Sequence, residues 1–271
     1  MIGYNDMEYD VKQIQNKILD IYAEFKRICE KHELSYFAIG GTCLGAVRHD
    51  GFIPWDDDMD VAMPRADYEK FKQIAEQELP EQYELYDIYR GEHYINYFCK
   101  LMDKNTTLVE CGTKKYPDMY YGIFVDIMPL DGIPDNKIAR KIHFAKMKVY
   151  RALDIRRKYR NYKILNLFPC HYFQKRYEGL QKKYSYENSK DLSYTWSARR
   201  HKVVFSKKCF DNYIEMPFEN TTMRCPTGYD EFLKAVYGDY MKLPPKEAQT
   251  CVHAVEIIDF DKPYRSYLTN E

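Results

Sequence analysis

Apolar positions near the start of the chain recur three and four apart: Val11, Ile14, Ile18, Ile21, Phe25 and Ile28. That spacing lines one side of a helix and predicts an amphipathic helix over residues 8–32. The pattern then shortens. "SYFAI" (35–39) predicts a short strand closed by Gly40-Gly41, "TCLGAVRH" a helical turn, and the run from Asp58 to Met63 a second strand. "ADYEKFKQIAEQEL" predicts a further helix, while the aromatic and β-branched runs "YELYDIY", "YINYFCKL", "TTLVE" and "GIFVDIM" predict strands. "PLDGIPD" predicts a turn. From Asn136 to Tyr162 the pattern is helical and basic, and "GYDEFLKAVYG" predicts a last helix broken by "KLPP". This order predicts an α/β (α+β) chain without repeats or low-complexity linkers. Its expected parts are a catalytic core over 1–134, a basic helical insertion or second lobe over 135–190, and a segment over 191–271 that packs back on the core.

Composition narrows the classes. With 271 residues the chain is long enough for one large domain or two small ones. Lys+Arg and Asp+Glu both number 41, so global charge argues for neither nucleic acid nor membrane, and only local patches can. No run reaches the roughly 18 apolar residues of a spanning helix, and "MIGYNDMEYDVKQ" lacks a signal peptide's apolar stretch. The expected compartment is therefore the cytoplasm. Eight cysteines stand singly, with no C-x-x-C pair, which reads as small apolar filler in a reducing compartment. The 27 tyrosines suit amphipathic surfaces and sugar or base stacking without establishing either.

The candidate chemistry is concentrated in "FAIGGTCLGAVRHDGFIPWDDDMDVAM" (37–63), where Asp56, Asp57, Asp58 and Asp60 crowd together. Carboxylates this close raise one another's pKa unless a cation neutralises them. Along an extended strand side chains alternate, so Asp58 and Asp60 share a face, and Asp56 joins them if the strand starts early. Asp57 then faces away. Two such carboxylates suit magnesium, which takes oxygen ligands and shares itself between carboxylates and substrate phosphates. The alternative is an acidic turn or an N-cap. Upstream, the glycines at 40 and 41 let backbone amides approach a phosphate closely. A strand, a Gly-Gly-Thr turn, a short helix and a strand bearing D-x-D is the layout of the nucleotidyltransferase-like fold. "GIFVDIM" offers a third carboxylate, Asp126, whose apolar surroundings demand a metal or a buried Lys or Arg.

The block "GGTCLGAVRHDGFIPWDDDMDVAMPRADYEKF" resembles the signature of the LicD family, which also covers the catalytic domain of fukutin-related protein. "GIFVDIMPLDGIP" and "GYDEFLKAVYGDYMKLPP" are similar to the family's later blocks, so the resemblance covers nearly the whole chain. It implies a CDP-alcohol phosphotransferase that moves a phospho-alcohol onto a glycan and releases CMP. It further implies a magnesium (or manganese) cofactor, a donor of the CDP-choline, CDP-ribitol or CDP-glycerol class, and a lipid-linked glycan or teichoic-acid precursor as acceptor. Nucleic acid is not an expected partner. On this reading Asp58, Asp60 and Asp126 are catalytic and metal-binding, with Asp56 as a further metal ligand. Gly40, Gly41, Thr42 and Arg48 would hold donor phosphates. A nucleotidylyltransferase releasing pyrophosphate and a non-catalytic scaffold for polysaccharide assembly remain the alternatives.

Other residues carry weaker signals. Arg48 fits either a donor phosphate or the surplus aspartates, and His49 reads as a plain hydrogen-bonding residue. Trp55 reads as a packed wall, Lys100 as a phosphate contact or a solvated edge residue. Tyr229, Asp230 and Tyr237 read as packing and pocket wall, and His253 has no assignable role. The segment 137–163 holds eleven Lys or Arg against the single acid Asp154, interleaved with aromatics. It reads as a dock for an anionic partner, either the inner face of the plasma membrane or a lipid-diphosphate-linked glycan, or as a solvated helix face.

Overall fold

Asp10 begins the first helix by accepting a hydrogen bond from the Lys12 amide (2.9 Å). The computed structural model describes residues 10–111, 116, 117, 119–160, 162–197, 203–251 and 253–267. Residues 8 and 9, with which the first helix was expected to begin, lie outside the described residues. Helix α1 (Val11–Lys31) buries Ile14, Ile18, Ile21, Phe25 and Ile28 as the periodicity predicts. Each such side chain contributes roughly 1.5–3 kcal/mol. Its face packs on the sheet that β1 (Phe37–Ala38) opens.

Helix α2 (Gly40–His49) starts at the glycine pair itself, so the expected turn is the first turn of the helix. Strand β2 (Asp60–Pro64) and helix α3 (Arg65–Glu78) follow, then β3 (Tyr83–Tyr86), β4 (Cys99–Asp103), β5 (Thr107–Glu110) and β6 (Ile123–Gly132). Of "YINYFCKL" only Cys99 onward is strand. The predicted turn at "PLDGIPD" is corrected: β6 runs through Leu130 and Asp131 to Gly132. Asp131 tolerates that buried position because Arg65 forks onto both its oxygens (2.8 and 2.5 Å) and Thr195 donates to it at 3.0 Å.

Helix α4 (Lys137–Arg160) carries the basic stretch and packs on α5 (Tyr172–Gln181). Beyond it come β7 (Asp191–Ser193), β8 (Val204–Ser206), the hairpin β9 (Tyr213–Phe218) and β10 (Thr221–Pro226), α6 (Tyr229–Tyr237) and β11 (Val255–Asp259). The central sheet runs β1-β2-β6-β4-β3, with β7 joined to the far end of β6 and β8 to β7. Among the described residues only β2 and β6 run parallel; the other pairs are antiparallel. Strand β11 pairs with β5, and the β9–β10 hairpin packs against β1 and α2. All ten residues of β6 are buried, which makes it the axis of the core.

Candidate active site

Register places the chemistry in one row. Asp60 on β2 is the direct partner of Asp126 on β6, and Asp126 is the direct partner of Lys100 on β4. Neighbours in register point to the same face and stand about 5 Å apart. Asp60, Asp126 and Lys100 thus form a charged rung across three strands. Lys100 is not a solvated edge residue: it sits on an interior strand and is 8% exposed. Its Nζ lies 3.0 Å from Asp126 Oδ1 and 3.0 Å above the centre of the Phe124 ring. Burial pushes the Asp126 carboxyl up and Lys100 pulls it back, leaving a pKa of about 6.

The aspartate loop is fastened before the strand begins. Gln15 of α1 donates to the Asp56 carbonyl (3.0 Å), the Asp60 amide donates to Thr42 Oγ1 (2.8 Å), and the Asp126 amide donates to the Met59 carbonyl (2.9 Å). Thr42 therefore spends its hydroxyl on the start of β2. The glycines serve the aspartates directly. A methyl at Gly40, whose φ is +54°, would lie 3.0 Å from Asp60 Oδ2 and 3.8 Å from the Tyr237 hydroxyl. A methyl at Gly41 would overlap Asp56 Oδ2. Two carboxylates thus lean over the first turn of α2, where helix geometry leaves the leading N–H groups without intrahelical acceptors. Burial and the charges of Asp58 and Asp57 push Asp56 up to about 8.

Asp58 precedes β2 rather than lying in it, and it is half-buried. Asp57 is buried and paired: His253 Nδ1 lies 3.0 Å from its Oδ1, while Nε2 lies 3.9 Å from Asp58 Oδ2. Burial opposes the charge on His253, but the bond to Asp57 and the charges of Asp58 and Asp57 outweigh it and raise its pKa to about 9. His253 stands just before β11 and reaches the site through the β5–β11 pairing. No local motif marks it; the sole clue in the chain was an unassigned late histidine. Arg48 sits at the opposite end of α2 from the glycines, about 10 Å along the axis. It donates from Nε to His49 Nε2 (2.9 Å) and from a terminal nitrogen to the Tyr240 carbonyl (2.6 Å).

Beside the rung lies a cavity of about 160 Å³. Lys100 and Phe124 form its near wall, with Tyr94, Tyr120, Tyr159 and Glu110 around it. Phe124 is two residues from Asp126 and so on the same face of β6, which makes rung and cavity neighbours. Among the described residues no three His, Cys, Asp or Glu side chains are gathered as a ready-made metal cage. The neighbouring carboxylates of Asp60 and Asp126 are oxygen donors that suit an ion completing its shell with substrate phosphate and water, as magnesium does.

A D-x-D run leading into a strand beside a glycine-led helix, with a third aspartate on the parallel neighbour, is the layout of a nucleotidyltransferase-type site. The family model described as "LicD/FKTN/FKRP, nucleotidyltransferase domain" matches residues 33–129, the stretch that holds Gly40, the aspartates and Asp126. The chain is 33% identical over 269 residues to the "Lipopolysaccharide cholinephosphotransferase LicD" of Haemophilus influenzae, covering 91% of this chain and 97% of that one. Uncharacterized proteins of Rickettsia typhi and Rickettsia prowazekii are 31% and 29% identical over 153 and 148 residues, about half of this chain. This protein belongs to the LicD family and is a transferase.

Proposed function

We propose that the protein transfers phosphocholine from CDP-choline to a hydroxyl of a cell-surface glycan such as lipopolysaccharide, releasing CMP, with magnesium as cofactor. The carrying observation is the Asp60–Asp126–Lys100 rung at the N-terminus of α2, in a chain similar along nearly its whole length to a cholinephosphotransferase. Asp60, Asp126 and Asp58 would hold the ion. When bound, it would neutralise the carboxylates and the donor diphosphate and stabilise the departing CMP.

This chain's own groups do the rest. Lys100 faces the phosphates as a fixed cation, and the amides at Gly40–Thr42 receive phosphate oxygens at the positive end of α2. The trimethylammonium group fits the aromatic cavity, where ring faces and the Glu110 carboxylate favour a cation without hydrogen-bond donors. The acceptor oxygen attacks the phosphorus bearing choline, opposite the oxygen that leaves with CMP. Asp126 either completes the ion's ligand set or takes the proton of the attacking hydroxyl. Use of a cytidine nucleotide agrees with a cytoplasmic enzyme, and no described helix is long and apolar enough to cross a membrane.

The test is to incubate the protein and magnesium with CDP-choline, CDP-ribitol, CDP-glycerol or CTP, and to identify the small product by phosphorus NMR. CMP formed fastest from CDP-choline supports the reading. Pyrophosphate from CTP would replace it with nucleotidyl transfer, and absence of any product would leave a scaffold.

A further inference from the structure

The eleven basic residues of 137–163 do not form one face. Lys158 is buried, with Nζ 2.5 Å from the Tyr94 carbonyl and 3.5 Å from Asp154. Arg157 pairs with Glu92 (3.1 Å), Arg151 donates to the Ile95 carbonyl (3.2 Å), and Arg140 binds Asp191 (2.7 Å). These four tie α4 to the body of the protein. The side turned away is different in kind. His143, Phe144, Met147, Asp154 and Lys158 mark the buried side. At 100° per residue Ile138, Ile142 and Val149 stand opposite them, and they are 70%, 53% and 56% exposed. Lys141 and Lys148 flank this apolar line on one side and Lys146 on the other, all exposed, with Arg156 and Arg160 continuing it. The short 3₁₀ segment that follows exposes Ile164 and Leu167, and Phe168 comes next. Asp154, the one acid between 137 and 168, is turned inward.

We propose that this outward face of α4, with residues 163–168, seats the enzyme on a bilayer rich in anionic lipid. Singly scattered exposed apolar residues need no explanation, but a line of them along one helix, rimmed by lysines and free of acids, has the make-up of an interfacial helix. A second copy of the chain is a poor occupant, because a twofold pairing of this face would oppose lysine with lysine. Anionic headgroups complement the same lysines, at about 1 kcal/mol for each basic residue near the surface. Tyr159, on the lysine-bearing flank of α4, lines the cavity beside Lys100. Docking by the outer side therefore brings that cavity toward the lipid. The inference goes beyond the transfer reaction and stands whichever alcohol is moved.

The experiment is co-sedimentation of the full chain with phosphatidylcholine vesicles, with and without phosphatidylglycerol, across a salt series. The wild type is expected to bind the anionic vesicles at least tenfold more tightly than the neutral ones. Both Ile142→Ser/Val149→Ser and Lys141→Gln/Lys148→Gln should weaken that binding about tenfold or more. CMP release from CDP-choline in solution should stay unchanged in both. Hydrogen exchange of the wild type should show vesicle-dependent protection over 137–168, a readout that needs no variant. Equal binding to both vesicle types, protection elsewhere, or loss on the lysine changes alone would overturn the proposal. So would a solution dimer that Ile142→Ser/Val149→Ser dissociates.

Discussion

His253 Nδ1 meets Asp57 Oδ1 at 3.0 Å across 196 residues of sequence, and its other nitrogen faces Asp58. One imidazole thereby holds the second and third members of the aspartate run in fixed positions. Replacing it removes a partner from a buried carboxylate, which costs roughly 1–3 kcal/mol. His253→Ala should lower the melting temperature and slow turnover together. His253→Gln, which can still donate to Asp57, should recover most of the stability. Unchanged melting in His253→Ala would separate the histidine from the loop.

The rung makes a sharper demand. Asp60→Asn and Asp126→Asn should each lower kcat by two or more orders of magnitude, because each removes charge from the proposed metal site. Asp60→Asn should leave the fold intact, since the isosteric amide relieves repulsion among the acids, whereas Asp126→Asn removes the counter-charge of buried Lys100 and should also lower stability. In calorimetry the wild type should take up magnesium, and either variant should lose most of that heat. Near-normal turnover in excess magnesium would remove both residues from the site.

Gly41 can be tested independently of catalysis. A methyl there overlaps Asp56 Oδ2, so Gly41→Ala should destabilise by about 1–3 kcal/mol. Because the clash is with one side chain, the double variant Gly41→Ala/Asp56→Ala should be more stable than the sum of the singles, a coupling readable in a denaturant double-mutant cycle. Strict additivity would show that the glycine serves something other than Asp56.

Acid sensitivity has a separate source in α4. His143 is buried, its Nε2 has no hydrogen-bond partner, and burial, reinforced by Lys183 and Lys146, lowers its pKa to about 4. The unfolded chain titrates near 6.5 and so takes up the proton first as pH falls. The neutral ring's contribution to stability is full above about pH 6.5 and declines toward pH 4. His143→Phe should flatten the urea-midpoint profile between those pH values. An unaltered slope would assign the acid sensitivity to other groups.

Lys158 and Arg156, two residues apart, should behave oppositely. Lys158→Met takes the counter-ion from buried Asp154, which keeps only the Tyr97 hydroxyl (3.0 Å), and the donor from the Tyr94 carbonyl, and should cost several kcal/mol. Arg156→Gln changes an exposed position and should leave the urea midpoint almost unmoved. Equal melting of both variants would show that Lys158 is not an internal tie.

Local pattern carried the elements whose physics is local. The 3.6-residue stripe of α1, the short strands and the D-x-D run were legible because helix and strand periodicity are written in neighbouring residues, and Asp126 was legible as a lone acid among β-branched neighbours. The strand through "PLDGIPD" was not, because its turn-forming composition is overridden by Arg65, which neutralises Asp131 from another element. Which basic residues of α4 face inward could not be read from charge alone, since Glu92, Asp191 and the carbonyls that take them lie on other segments. That the glycine pair also makes room for the Asp60 and Asp56 carboxylates shows only in the folded chain. Lys100 beside Asp126, and His253 against Asp57, depend on strand register and on the return of the late chain to β5. Those pairings are set by burial and hydrogen bonding between segments far apart in sequence, for which no short window of residues holds the information.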